Sequence, residues 1–232
     1  MLLAMTIRPI ATFHSPFSSK FGIPRQSGVV PQLKGTICFQ PEYRSPDFIR
    51  GIEEYDYLWL LWLFSANNAT RGGATVRPPL LGGNQSMGVF ATRSPYRPNP
   101  IGLSSVRVEQ VCYDTPDGPI IHVAGADLMD GTPIIDIKPY LEYADSHQDI
   151  RSGFTDTHPW QLLQVVIPEH IRTGYDADFL DIVSEVLAQD PRPHFHHDPT
   201  RVYGMTYDGH DIRFQVDGGV LTVIEILPEL RK

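Results

Sequence analysis

Proline and glycine interrupt the first 150 residues so often that few stretches remain long enough for a helix. The apolar segments between them are short, the pattern of a β-rich domain carrying long loops. Strands are expected at 6–12, 57–64, 87–92, 103–112, 120–124 and 134–137, with one short helix at about 46–54. Alternation is clearest at Val106, Val108 and Val111, and it slips by one residue at the end of that series. Two stretches, 21–32 and 67–86, fit neither helix nor strand. Loops of that length in a compact domain are commonly functional or disordered.

The chain changes character after a polar segment at 144–149, which places a boundary between 143 and 154. A strand is expected at 160–167. A helix follows at 176–189, with Phe179, Ile182, Val183, Val186 and Leu187 at helical spacing and Asp176 or Asp178 as its N-cap. Asp190-Pro191 ends it, because the residue before proline is pushed out of the helical region. Strands at 202–207, 211–216 and 220–226 are joined by Asp208-Gly209 and Asp217-Gly218-Gly219, a meander signal. The expected architecture is mainly β, with an N-terminal domain over 1–147 and a small C-terminal α+β domain over 148–232.

The longest apolar run, 57–64, is well short of a membrane span, and the N-terminus lacks the features of a signal peptide, so a cytoplasmic protein is expected. Cys38 and Cys112 stand beside no second thiol or ligand-spaced histidine and are expected to be small buried residues. The formal charge of -8 hides an asymmetry. Residues 1–110 carry 11 Lys and Arg against 6 Asp and Glu, whereas 111–232 carry 8 against 21. No acidic residue occurs from Tyr57 through Val108, yet Arg71, Arg77, Arg93, Arg97 and Arg107 fall there. Such a stretch suits phosphate binding; pairing with the acidic half explains it equally well.

Common fingerprints are missing. There is no Gly-x-Gly-x-x-Gly, no phosphate-loop motif, no Gly-x-Ser-x-Gly, no His-Glu-x-x-His and no Cys-x-x-Cys. A Rossmann-type nucleotide fold, acyl hydrolysis and zinc chemistry therefore have no starting point. The run His194-Phe195-His196-His197 lies in a proline-rich stretch and reads as a solvated linker, so no metal site is expected.

Three dense segments remain. In Gly88 through Ser104 a strand enters a loop with Arg93, Arg97 and three prolines. Such a loop suits a planar anionic partner, because guanidinium presents a fixed fork of donors. Asp127 through Tyr140 brackets one turn and one short strand with Asp127, Asp130, Asp136, Lys138 and Tyr140. Asp136 and Lys138 share a strand face, for which a salt bridge is the commoner explanation. The third, Lys20 through Gly28, is an irregular loop with Arg25 at its tip.

Pro24-Arg25-Gln26, Thr75-Val76-Arg77-Pro78-Pro79 with Leu81-Gly82-Gly83-Asn84, Gly88 through Ser104, and Asp130-Gly131-Thr132-Pro133 through Tyr140 together resemble the signature blocks of the TrmO/TsaA-like family. Glu185 through Pro193 and the Tyr203-Gly204 meander resemble the accessory domain of its bacterial members. The resemblance implies a β-barrel methyltransferase domain, neither Rossmann nor knotted, that forms a homodimer and binds S-adenosylmethionine without a metal. It implies a substrate, N6-threonylcarbamoyladenosine at position 37 in the anticodon loop of tRNA. Cofactor contacts would fall on Pro24, Arg25, Gln26, Ser65, Ala66, Arg93, Leu103, Gly125, Ala126, Asp127 and Leu128. Family members often carry a His-Gln pair where this chain has Ser65-Ala66, so backbone contacts alone carry over there.

The acceptor nitrogen of that substrate is urea-like, and a positioned base would help its attack. Asp130 and Asp136 are the candidate bases. Lys138 and Tyr140 would hold the threonyl carboxylate or a phosphate, with Arg71, Arg77 and Arg97 on the RNA backbone. The alternatives are a non-catalytic RNA-binding β module and a methyltransferase acting on a small molecule.

Overall fold

The computed structural model describes residues 6–67, 73–193 and 198–229. Its strands are β1 (Ala11–His14), β2 (Lys34–Phe39), β3 (Tyr57–Leu63), β4 (Thr75–Val76), β5 (Met87–Gly88), β6 (Ile101–Cys112), β7 (Ile120–Ala124), β8 (Thr132–Pro139), β9 (Gln164–Val166), β10 (Tyr203–Tyr207), β11 (His210–Asp217) and β12 (Val220–Pro228). The described residues divide into two units. One draws on 6–15, 26–67 and 95–146, the other on 16–25, 73–94, 147–193 and 198–229.

In the first unit a closed barrel runs β1-β2-β7-β6-β3-β8, and β8 pairs back onto β1. Every pairing in it is antiparallel. Strand periodicity explains the interior. In β3, Leu58, Leu60 and Trp62 point inward and are buried, while the residues between them face outward. They meet Phe13, Ile37, Val106, Ile121, Val123 and Ile134 in one apolar core. The slip in the valine series is a bulge between Val108 and Gln110, which lets Val108 and Val111 both pack against that core.

Several expected elements change. The first strand starts at Ala11 rather than residue 6. Strand β2 went unanticipated because Gly35 looks like a breaker. Its missing side chain makes room for Phe13, whose ring would lie 2.2 Å from an added Cβ. The helix expected at 46–54 is two 3-10 turns, Pro46–Ile49 and Ile52–Glu54, parted by Gly51 at φ 84°. The strand expected at 87–92 ends at Gly88, the end of its pairing with β4, and the chain turns over Val89–Ala91. Cys38 and Cys112 are only partly buried. Among the described residues, no helix is long and apolar enough to cross a membrane.

The second unit contains a four-stranded sheet, ordered β10-β11-β12-β9, with β9 parallel to β12. Only Gln164–Val166 of the strand expected at 160–167 is paired. The helix Ala177–Ala188 starts where the Asp176 carboxylate accepts from the Phe179 amide at 3.2 Å. Leu180, Val183, Val186 and Leu187 form its buried face.

The helix is followed by Asp190, at φ 50°, whose two carboxylate oxygens accept from Arg192 Nε at 2.8 Å and Nη2 at 3.0 Å. Burial disfavours this charge, but the hydrogen bonds and charge of Arg192, with a smaller contribution from Arg25, hold the carboxyl below its ordinary value. A depressed folded-state value stabilises the fold above the unfolded value of about 4 and ceases to do so as pH falls through the folded one. Asp190→Asn is therefore expected to cost about 2 kcal/mol at pH 7. The difference from the parent protein should shrink steadily below about pH 4. Urea unfolding followed by circular dichroism at several pH values checks this; a pH-independent difference would contradict it.

Candidate active site

Three consecutive residues of β6 tie together the expected cofactor segments of the barrel unit. Leu103 faces outward and is 52% exposed, although leucine is a residue strands usually bury. Ser104 faces inward and is 1% exposed, and its Oγ donates to Asp127 Oδ1 at 2.5 Å while accepting from Trp62 Nε1 at 2.9 Å. Ser105 donates its amide to Ser27 Oγ at 3.1 Å.

This arrangement follows from where β7 leaves the barrel wall. Its last pair with β6 is Ala124 with Arg107. Gly125 then adopts φ 80°, a conformation glycine permits, and the chain departs. The loop at 26–28 occupies the gap: the Gly28 amide donates to the Gly125 carbonyl at 2.8 Å, next to the Ser27 contact on β6. The Gly125 amide donates in turn to the Leu33 carbonyl at 2.9 Å. Gly28 is therefore held against Gly125, at the start of the 125–128 segment, of which Ala126 and Leu128 anchor in the core.

Register extends this surface across the barrel's outer face. Leu103 opposes Leu61, which opposes Asp136, and in the next row Ser105 opposes Trp59, which opposes Lys138. With strands about 4.8 Å apart, Asp136 stands roughly 10 Å from Leu103. Its Oδ2 lies 2.8 Å from Lys138 Nζ, the salt bridge its strand spacing suggested. Tyr140 packs its ring against Trp59, with centroids 5.5 Å apart. Ser65-Ala66 follows the Leu63 and Ile101 pair at the end of β3, where the Phe64 amide donates to the Pro100 carbonyl at 2.9 Å. Asp130 lies just before the start of β8, and its Oδ1 accepts from the Ser15 amide and contacts His14 Nδ1, both at 3.1 Å. That is the bonding of a turn-holding residue.

Arg97 belongs to the barrel unit, whereas Pro24, Arg25, Arg77 and Arg93 fall in the second unit. There Arg25 Nη2 donates to the Asp190 carbonyl at 2.8 Å, and its guanidinium lies 3.5 Å from the centroid of the Trp160 ring. Burial lowers the proton affinity of Arg25, and the Asp190 charge works the other way. Arg71 and the run His194-Phe195-His196-His197 lie outside the described residues.

The model of the tRNA-methyltransferase O N-terminal domain matches residues 12–146, more than half of the chain, and that of the TrmO C-terminal domain matches 163–229. The chain belongs to the TrmO family. It is 36% identical over 229 residues to an Escherichia coli (strain K12) protein named tRNA (adenine(37)-N6)-methyltransferase, covering 94% of this chain and 96% of that one. A Pseudomonas aeruginosa protein named putative S-adenosylmethionine-dependent methyltransferase RcsF is 37% identical over 207 residues, covering 86% and 87% of the two chains. A crystal structure of TrmO from P. aeruginosa superposes with a TM-score of 0.77 at 32% identity, covering 98% and 99%.

The residues on β6 fit the cofactor that TrmO relatives are named for. S-adenosylmethionine carries donors on its ammonium, ribose and adenine groups, and Asp127 offers a half-buried carboxylate as an acceptor. Trp62, Ser104, Ser27 and Ser105 were not singled out from sequence. The available signal was the serine at 104, which shares strand parity with the core residue Val106 and so had to be a buried hydroxyl needing partners.

Proposed function

We infer that this chain transfers a methyl group from S-adenosylmethionine to N6 of the adenosine at position 37 in the tRNA anticodon loop, with the acceptor adenosine bearing threonylcarbamoyl. The observation that carries the reading is the convergence of the 26–28 loop, the 125–128 segment and exposed Leu103 on one stretch of β6, in a chain matched nearly end to end by TrmO relatives. The cofactor supplies an activated methyl group on its sulfonium. The protein's contribution is to hold the acceptor nitrogen in line with it, and such positioning can account for much of the rate enhancement.

Asp136 is the better placed of the two candidate bases. It shares the outer barrel face with Leu103, where an incoming nucleotide would lie, and its Oδ2 lies 2.8 Å from Lys138 Nζ. Asp130 is occupied in holding the turn at His14 and Ser15. Asp136→Asn is expected to slow methylation about 100-fold with cofactor affinity preserved, the usual scale for loss of a positioned base. Asp130→Asn should leave the rate within about threefold. Rates measured under saturating cofactor decide this, and an unchanged rate for Asp136→Asn removes it as the base.

Anticodon-loop bases can be unstacked and read singly, and the target would be turned out of the loop into the site. Arg77, Arg93 and Arg97 would meet flanking phosphates, in which case tRNA affinity should fall steeply with salt. The accessory domain at 148–232 would restrict which tRNAs fit, and the active form would be a homodimer. Mass spectrometry of tRNA nucleosides after incubation with the purified protein and S-adenosylmethionine tests the activity. A threonylcarbamoyladenosine gaining one methyl group supports it, and unaltered nucleosides overturn it.

A further inference from the structure

The hydrogen-bond chain from Trp62 through Ser104 to Asp127 has a fixed polarity. An indole N–H can only donate, so the Ser104 oxygen must accept from it. The single hydroxyl hydrogen is thereby turned toward Asp127, whose Oδ1 accepts it. The oxygens are 2.5 Å apart, within hydrogen-bonding distance. Trp62 is itself held from within the barrel. Its ring lies over Gly102, its cross-strand partner, and packs edge-on against Phe64 with centroids 4.3 Å apart.

A serine almost without solvent contact inside an apolar barrel gives up its bonds to water and must recover them in the fold. Alanine or valine at 104 would pack the interior without that requirement, so the hydroxyl does more than fill space. What it reaches is a carboxylate that leaves the core at the segment following β7. The carboxylate is only partly buried, so it faces both the barrel interior and the surface where the 26–28 loop crosses β6.

We propose that Ser104 is a positioning residue that sets the rotamer of Asp127, oriented in turn by Trp62, so that the carboxylate meets a hydrogen-bond donor of S-adenosylmethionine. The inference rests on the proposed cofactor, and it adds two interior residues that act through Asp127 without touching the ligand. It explains why a tryptophan and a serine are aligned inside the barrel at this level. Fixing a carboxylate before the ligand arrives removes an ordering cost from binding, so the effect belongs in cofactor affinity.

Titration calorimetry with S-adenosylmethionine, alongside thermal melting, tests this. Ser104→Ala is expected to bind the cofactor about 10-fold more weakly and Asp127→Asn about 10- to 30-fold more weakly, while the double variant binds no worse than Asp127→Asn alone. Because alanine also leaves a small void, Ser104→Thr and Ser104→Val form a second comparison. They share a shape and any packing strain, and differ in the hydroxyl. The threonine variant should bind about 10-fold more tightly than the valine variant, and that gap should vanish when Asp127 is asparagine. Equal affinities for threonine and valine, or losses that multiply in the double variant, overturn the proposal. If the unaltered protein gives no heat with S-adenosylmethionine, the proposed function fails instead, so the two failures are distinguishable.

Discussion

Gly102→Ala is expected to destabilise the barrel by about 3 kcal/mol, the upper part of the range for overpacking an interior. A Cβ at this position would lie 2.2 Å from Trp62 Cε2 and 2.5 Å from Cζ2, far inside contact distance. The indole cannot swing away cheaply. Its Nε1 is tied to Ser104, its edge is packed against Phe64, and it is 7% exposed. Moving it would leave the Ser104 hydroxyl with one partner fewer, adding an unsatisfied buried group to the steric cost. Gly88→Ala is the control, since nothing among the described residues lies within 4 Å of its added Cβ and its φ is -56°. That change should stay within about 0.5 kcal/mol. Urea unfolding followed by tryptophan emission checks both. A Gly102→Ala protein as stable as its parent would mean that the interior yields around the indole.

The same glycines explain what could be read from sequence and what could not. The apolar run at 57–63 and the alternation within 103–112 announced their strands because each pattern is visible in one segment at a time. So did the last meander, whose Asp-Gly turns specify their own geometry. Strand β2 was hidden because Gly35 is explained only by Phe13, which is 22 residues away in sequence and sits on the neighbouring strand β1. The stretch 87–92 carries β-forming residues but lacks a long partner strand, and no local pattern reveals a missing partner.

At the site, only the family resemblance points to Asp127, Leu103 and the 24–26 loop, whereas the strand parity of Asp136 and Lys138 shows only that they share a face. Their row with Leu103 depends on two registers through β3, one of them containing a bulge between Leu61 and Trp62. Bulges shift which residues oppose each other, and sequence alone rarely fixes their position. Asp130 shows the converse. It sits in a dense acidic motif, yet its bonds to Ser15 and His14 are those of a turn.

Arg25 is where the second prediction of large effect lies. Its guanidinium is gripped by residues that follow the barrel in sequence: Trp160 beneath its plane and the Asp190 carbonyl at its edge. The backbone of the next residue, Gln26, starts the loop that Ser105 and Gly125 hold against β6 through Ser27 and Gly28. Arg25 immediately precedes that loop in sequence, and we propose that fixing its side chain restrains the first residue of the proposed cofactor loop. Arg25→Ala removes a stacked cation and a charged donor together, and cofactor affinity is expected to fall about 30-fold. Trp160→Ala removes the stacking alone and should cost about 10-fold. Arg25→Lys should fall close to the tryptophan variant, because an ammonium keeps the charge but cannot lie flat on the ring while reaching a carbonyl with a second donor. Calorimetry with S-adenosylmethionine separates this from a direct contact between arginine and ligand. If Trp160→Ala binds as tightly as the parent protein while Arg25→Ala does not, the arginine acts on the cofactor itself and the indole is a bystander.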